Sequence, residues 1–295
     1  MTSSASHDRG EDREAETANA DAALHSPAPF YACPSCKAPL AETDRSLRCA
    51  ACDSAFPVID DIPEFIAGDL SASPDPQLRR MRFIDRMANL YESQLWYPVV
   101  MKVYGGRRAP LLPRLVRSVS DILDSAPGRI LDVARGPGTF GRRIASPTKE
   151  VWGVDVSRGM LRQGAAYARA EQIANLHFAR ARVEALPFGD ASFDGVICCG
   201  SLHLFADTLA ALREMARVMK PEAALASFTF TDGDGGLLKY EGFRRWSRRR
   251  HGLHVFELDE LSRALTASGF ENFQPRVAGS VVTFSARKRA FGRAE

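Results

Sequence analysis

No stretch of this sequence approaches the roughly 18 consecutive apolar residues that would carry a helix across a bilayer, so no membrane partner is expected. Residues 1–26 lack the apolar core of a secretory signal, which points to a reducing, cytoplasmic setting. Lysine is scarce: Lys37, Lys102, Lys149, Lys220, Lys239 and Lys288 are the whole set, and the rest of the basic side is arginine. Charge of either sign is nearly balanced at a net +3, too little to imply a nucleic-acid partner by itself. Cysteine is equally sparse at six. What is present is ordinary globular material, 45% hydrophobic and 25% charged over 295 residues, enough for a main domain with a small satellite. No internal repeat is visible.

Composition divides the chain. Residues 1–29 hold six acids against Arg9 and Arg13 with no helical or strand period, and read as a disordered tail. Residues 30–68 form a short, turn-rich block containing four of the cysteines. Residues 69–110 read as a helical cap or linker: Leu78, Met81, Ile84, Met87 and Leu90 recur at three-residue steps, with Tyr91, Trp96, Tyr97 and Tyr104 behind them. In residues 111–295, short apolar runs (129–133, 150–154, 176–178, 195–199, 223–230 and 281–286) alternate with helical patterns (111–124, 140–145, 158–171, 207–219 and 257–268). That alternation predicts an α/β fold, a doubly wound and mostly parallel sheet with helices on both faces. Residues 231–256 interrupt it as an insertion on the substrate side.

Cys33-Pro-Ser-Cys36 and Cys49-Ala-Ala-Cys52 are two C-x2-C pairs with twelve residues between them. Each pair suits a tight turn that aims two thiolates at one point, and two such turns complete a closed tetrahedral site. The expected ligand is a structural zinc held by Cys33, Cys36, Cys49 and Cys52, with metal binding coupled to folding of the block. Two disulfides are the alternative. Cys198 and Cys199 fall in an apolar strand pattern and read as small core residues.

The run Arg129-Ile-Leu-Asp-Val133 leads into Ala134-Arg-Gly-Pro-Gly-Thr-Phe140 and then a helix, so backbone N–H groups can approach a ligand closely. Asp155 ends the next predicted strand 23 positions after Asp132, where a carboxylate can accept from both ribose hydroxyls of a nucleotide. With Gly153-Val-Asp-Val-Ser-Arg-Gly-Met-Leu161, Glu184-Ala-Leu-Pro-Phe188, Ser192-Phe-Asp-Gly-Val196 and Arg217-Val-Met-Lys-Pro221, residues 129–230 resemble a class I S-adenosylmethionine-dependent methyltransferase. The cysteine block followed by Phe56-Pro-Val-Ile-Asp-Asp-Ile-Pro63 is similar to that of zinc-ribbon methyltransferases, both the guanine-specific 23S rRNA enzymes and the UbiE-like small-molecule enzymes. Phe83–Tyr91 looks like the helix those proteins fold over the cofactor.

The resemblance implies a Rossmann-like seven-stranded sheet, S-adenosylmethionine as cofactor, and a role for each matching residue. Tyr91 would cover the cofactor, while Asp132, Ala134, Gly136 and Gly138 would line its methionine side. Asp155 and Val156 would hold the ribose, Met160, Arg182 and Val183 would border the adenine, and Gly200 and Ser201 would close the loop after the fourth strand. It also implies a small-molecule substrate, aromatic or polyketide-like, with ribosomal RNA as the alternative acceptor. Three departures bear on the cofactor. Arg135 places a cation in the glycine loop, beside the expected position of a sulfonium, unless its side chain points elsewhere. Arg182 stands where an aspartate usually accepts from the adenine amino group, and arginine has no acceptor. Pro221-Glu-Ala-Ala-Leu225 lacks the glycine pair expected before the fifth strand. These departures leave open a methyltransferase fold that has lost transfer and performs other chemistry or binding.

His203, in Gly200-Ser-Leu-His-Leu-Phe205, follows the fourth strand and is the candidate catalytic base. A histidine bonded in the strand-end loop is the equal alternative, and His251 and His254 are weaker candidates. Trp96 and Tyr97 are expected in a core or against an aromatic substrate. Residues 239–251 carry six cations with interleaved aromatics. They read as one solvated helix face with Phe243 and Trp246 packed inward, or as an RNA-contacting patch.

Overall fold

The computed structural model describes residues 30–68, 96–123 and 128–290. The expected tail, most of the expected cap and Tyr91 lie outside the described residues. The N-terminal block is a four-stranded antiparallel sheet, β1 (Leu40–Thr43), β2 (Ser46–Cys49), β3 (Ala55–Ile59) and β4 (Ile62–Pro63), in sequential order. A short helix α1 (Trp96–Val100) runs into a π-helical turn (Met101–Gly105) and is followed by α2 (Leu112–Leu123). Then come β5 (Gly128–Val133), α3 (Gly141–Ile144), β6 (Lys149–Asp155), α4 (Arg158–Ala170), β7 (Leu176–Arg180) and β8 (Phe193–Cys199). The chain closes with α5 (Thr208–Val218), β9 (Met219–Phe230), α6 (Glu241–His251), α7 (Leu258–Ala267), β10 (Phe270–Ala278) and β11 (Val281–Lys288).

The large sheet has seven strands in the order β10-β11-β9-β8-β5-β6-β7, all parallel except β11, which runs antiparallel to both neighbours. Strands β5, β6 and β8 are almost wholly buried, as central parallel strands covered by helices on both faces must be. Local chemistry sets the helix ends. Ser157 Oγ accepts from Met160 N at the start of α4, Asp207 caps α5, and Glu257 with Glu260 forms a capping box on α7. Two buried clusters lie within the fold, one containing Trp152, Phe188 and Met215, the other Leu115, Ile130 and Phe228.

The cysteine block shares the first of these cores. Tyr31 stacks on Phe188 with ring centroids 5.6 Å apart, Phe30 lies 4.3 Å from Trp152, and Leu40 and Leu47 are buried in the same cluster. Burial of such aromatics supplies docking energy that a block of this size cannot generate internally.

Three features depart from the sequence reading. Strand β10 is absent from the expected runs because it is an edge strand, mostly exposed and interrupted by Pro275, so its pattern is neither alternating nor apolar. Strand β9 begins at Met219 and passes through the segment expected to need glycines, with Glu222 forced to a left-handed φ of 64° at an irregularity in the β8–β9 register. Trp246 is 52% exposed and does not pack inward, whereas Phe243 is half-buried against the second core and Ser247 is the fully buried residue of α6. The core expectation for Trp96 and Tyr97, by contrast, agrees with the structure: Tyr97 is a core residue, and Trp96 packs against the same cluster.

Candidate functional site

The carboxyl ends of β5, β6 and β8 converge on one loop, the position where open parallel sheets bind ligands. The turn after β5 has Ala134, Gly136 and Gly138 at φ 50°, 55° and 83°, all in the left-handed region. Two of these suit glycine. Ala134 pays a conformational cost for its Cβ, and its carbonyl accepts from Ser201 Oγ at 3.1 Å. Asp155 Oδ2 accepts from Gly136 N at 2.8 Å and Oδ1 from Ser157 N at 2.8 Å, so the acidic turn and the glycine loop are bonded together. Gly200, at φ 75°, packs against the Phe228 ring, which a Cβ would strike at 2.8 Å. Ala134, Gly136, Asp155, Gly200 and Ser201 are therefore gathered along one edge of the sheet.

Asp132 lies beneath the loop, 2% exposed, with Oδ2 accepting from Gly141 N at 3.2 Å. Burial pushes its pKa up to about 7, opposed by the Arg135 guanidinium and the Gly141 amide and reinforced by Asp155. Arg135 itself turns away from the loop's open side. It is buried, with its guanidinium carbon 4.1 Å from the Phe178 ring centroid, in space left by Gly138, Gly153 and Gly164. The cation that the sequence places beside a sulfonium is thus directed between β6, β7 and α4.

The remaining expected residues are spread around this edge. Val156 presents its carbonyl to Arg180 Nε at 2.9 Å. Met160 is buried in the first turn of α4, and Val183 belongs to the first core. Arg182 lies 3.4 Å from Glu184 across the short turn after β7. His203 is 5% exposed with Nδ1 3.2 Å from Thr229 Oγ1, and burial together with His254 pushes its pKa down to about 3. Burial thus favours the neutral imidazole, with Thr229 as a bonding partner for Nδ1. His254 bonds Glu260 at 2.9 Å, and His251 lies on α6 beside Trp246. Sequence reasoning missed Glu64, Arg158 and Arg180, whose contacts span the cysteine block and the sheet and leave no local pattern.

At the far end of the block, Cys33, Cys36, Cys49 and Cys52 place their Sγ atoms within 4.8 Å of one another, the shortest separation being 3.4 Å between Cys36 and Cys49. A tetrahedron with metal–sulfur bonds of about 2.3 Å has edges of about 3.8 Å, so the cluster fits a four-thiolate site. Cys198 and Cys199 are buried in β8, where burial raises both thiols far above their ordinary range.

A family model described as a methyltransferase domain matches residues 130–222, from β5 to the start of β9, the stretch that builds the glycine loop and the acidic turn. That stretch of the chain is similar to this domain family. The chain is 34% identical over 94 residues to the uncharacterized methyltransferase YcgJ of Bacillus subtilis, covering 32% of this chain and 37% of that protein. It is 34% identical over 122 residues to a demethylmenaquinone methyltransferase of Deinococcus radiodurans, covering 41% of this chain and 50% of that one. It thus spans half or less of the length of these two curated relatives. Among solved structures, the [4+2]-cyclase SpnF superposes with a TM-score of 0.58 at 20% identity over 74% of this chain and 97% of that chain, a likeness of fold.

Proposed function

We propose that this protein is a methyltransferase that uses S-adenosylmethionine to methylate a small molecule, with an aromatic or polyketide-like metabolite as the acceptor class. The observation that carries the reading is Asp155. A carboxylate offers about four lone-pair positions, and here the Gly136 and Ser157 amides take one on each oxygen. A carboxylate oriented in this way at the end of β6 is suited to accept from two ribose hydroxyls. The inward course of Arg135 supports the same reading, because it removes the long cation from the sulfonium side. The cofactor would supply an activated methyl group with a good leaving group. The chain's part is then alignment and exclusion of water: the left-handed loop approaches the methionine moiety, Asp132 offers a carboxyl, and Asp155 fixes the ribose. His203 supplies a wall and not a proton acceptor. The demethylmenaquinone relative acts, by its name, on a small molecule and agrees with the substrate class. The four thiols would hold a structural zinc, because the closed set leaves no open coordination position.

The test is calorimetry with S-adenosylmethionine and its demethylated product on wild type and Asp155→Ala, followed by transfer assays against a panel of phenols, enols and quinols. Binding by wild type, lost in the variant, is expected. No binding by either would remove the cofactor assignment and favour other chemistry on the same fold, since fold alone does not decide function.

One observation favours a second reading, ribosomal RNA as acceptor. Exposed Arg245, Trp246, Arg249 and Arg250 line a cleft on α6, cations and an aromatic together. Tight, steeply salt-dependent binding of rRNA fragments, abolished in Arg245→Glu/Arg249→Glu, would establish it.

A further inference from the structure

The cysteine block delivers one buried carboxylate to the edge of the large sheet. Glu64 directly follows β4 and forms a parallel bridge with Arg180, the last residue of β7, while Phe65 N donates to Arg180 O at 2.8 Å. Its side chain is only 2% exposed. Oε1 accepts from Arg158 Nε at 2.7 Å, and Oε2 accepts from an Arg158 terminal nitrogen and from Arg180 Nη1, both at 2.8 Å. The Arg158 contact is thus bidentate, which fixes orientation as well as distance.

Both arginines bear on the acidic turn. Arg180 stands in register with Asp155 across β6–β7, and its Nε donates to the Val156 carbonyl at 2.9 Å. Arg158 is the first residue of α4, immediately after the cap Ser157 whose N–H binds Asp155 Oδ1. Two cations brought together on one carboxylate at this turn would repel each other without it. An anion between them cancels that repulsion and locks both guanidinium planes.

We infer that Glu64 is a positioning residue for the cofactor site: it acts through Arg158 and Arg180 to set the 155–158 turn, and so the direction in which Asp155 presents its oxygens. The inference rests on reading that turn as the ribose-binding element. It gives the N-terminal block a part in cofactor binding from outside residues 130–222, the stretch matched by the domain family.

A plain structural staple would make the same contacts, so the test needs a control that loosens the block elsewhere. Lys37 serves, because its ion pair with Glu214 at 3.1 Å ties the block to α5 and not to the acidic turn. Calorimetry with S-adenosylhomocysteine and with 5′-methylthioadenosine would be run on full-length wild type, Glu64→Gln, Arg158→Gln and Lys37→Met, with thermal melts alongside. Glu64→Gln is expected to weaken both ligands by the same factor of about ten, since the defect lies at the shared ribose. Arg158→Gln should follow in the same direction and carries the test if Glu64→Gln does not fold. Lys37→Met should melt lower yet bind within about twofold of wild type. Equal weakening by Lys37→Met, or unchanged binding by Glu64→Gln and Arg158→Gln, overturns the positioning role. A wild type that binds neither ligand overturns the reading of the site itself, and the inference with it.

Discussion

The side chain of Arg135 fills the place of a side chain that Gly153 does not have: a Cβ on Gly153 would fall on the Arg135 Cδ and Nε. Gly138 and Gly164 border the same space, so three glycines from the loop, β6 and α4 accommodate one arginine. The glycines and the arginine make sense only together. Gly153→Ala is expected to destabilise the protein by about 1–3 kcal/mol through overpacking. In an Arg135→Cys background that cost should largely vanish. Urea unfolding of the four members of the double-mutant cycle would show a coupling of about 1 kcal/mol or more, and additivity would refute the packing claim.

Asp132 gives a pH-dependent prediction. Its folded pKa of about 7 is raised by burial. The folded protein therefore holds this proton over a range where the unfolded chain has released it, and the carboxyl's contribution to stability falls as pH rises from about 4 to 7. A cationic methionine moiety beside Asp132 would favour its anion. Affinity for S-adenosylmethionine should then rise with pH up to about 7, with proton release detectable as a buffer-dependent binding enthalpy. Asp132→Asn should bind more weakly and flatten the pH profile. An unchanged profile would place Asp132 away from the bound cation.

The cysteine cluster predicts about one zinc per chain in protein purified without added metal. Its removal by a strong chelator should lower thermal stability, because binding and folding of the block are coupled. Cys33→Ser/Cys36→Ser should abolish the stoichiometric metal. Retained zinc in that variant would locate the ion elsewhere.

For His203, a neutral wall residue and a general base predict different losses. Removing a general base costs about 100-fold or more in rate, whereas His203→Asn in the neutral role should cost less than about tenfold, from the lost Thr229 bond and altered packing. The pH–rate profile should keep its shape. A large loss accompanied by disappearance of a basic limb would restore the histidine to catalysis.

The α/β alternation, the glycine loop, Asp155 and the paired cysteines were legible because each is local: a strand period, a tight turn or a spacing of two within a few residues. Sequence alone therefore determined the class of fold, its nucleotide-type edge and a four-thiolate cluster. It also marked Arg135 as a departure but could not orient it, since that depends on glycines 18 and 29 positions further along the chain, at Gly153 and Gly164. The protonation of His203 and Asp132 was equally out of reach, because burial is a property of the packed protein and not of a residue's neighbours in sequence. Exposure of Trp246 and the edge strand β10 were likewise decided by which surfaces the rest of the fold covers. The clamp from Glu64 to the acidic turn is the clearest case: it joins residues more than ninety positions apart, Glu64 to Arg158 and Arg180, so only tertiary structure could bring that carboxylate between its two arginines.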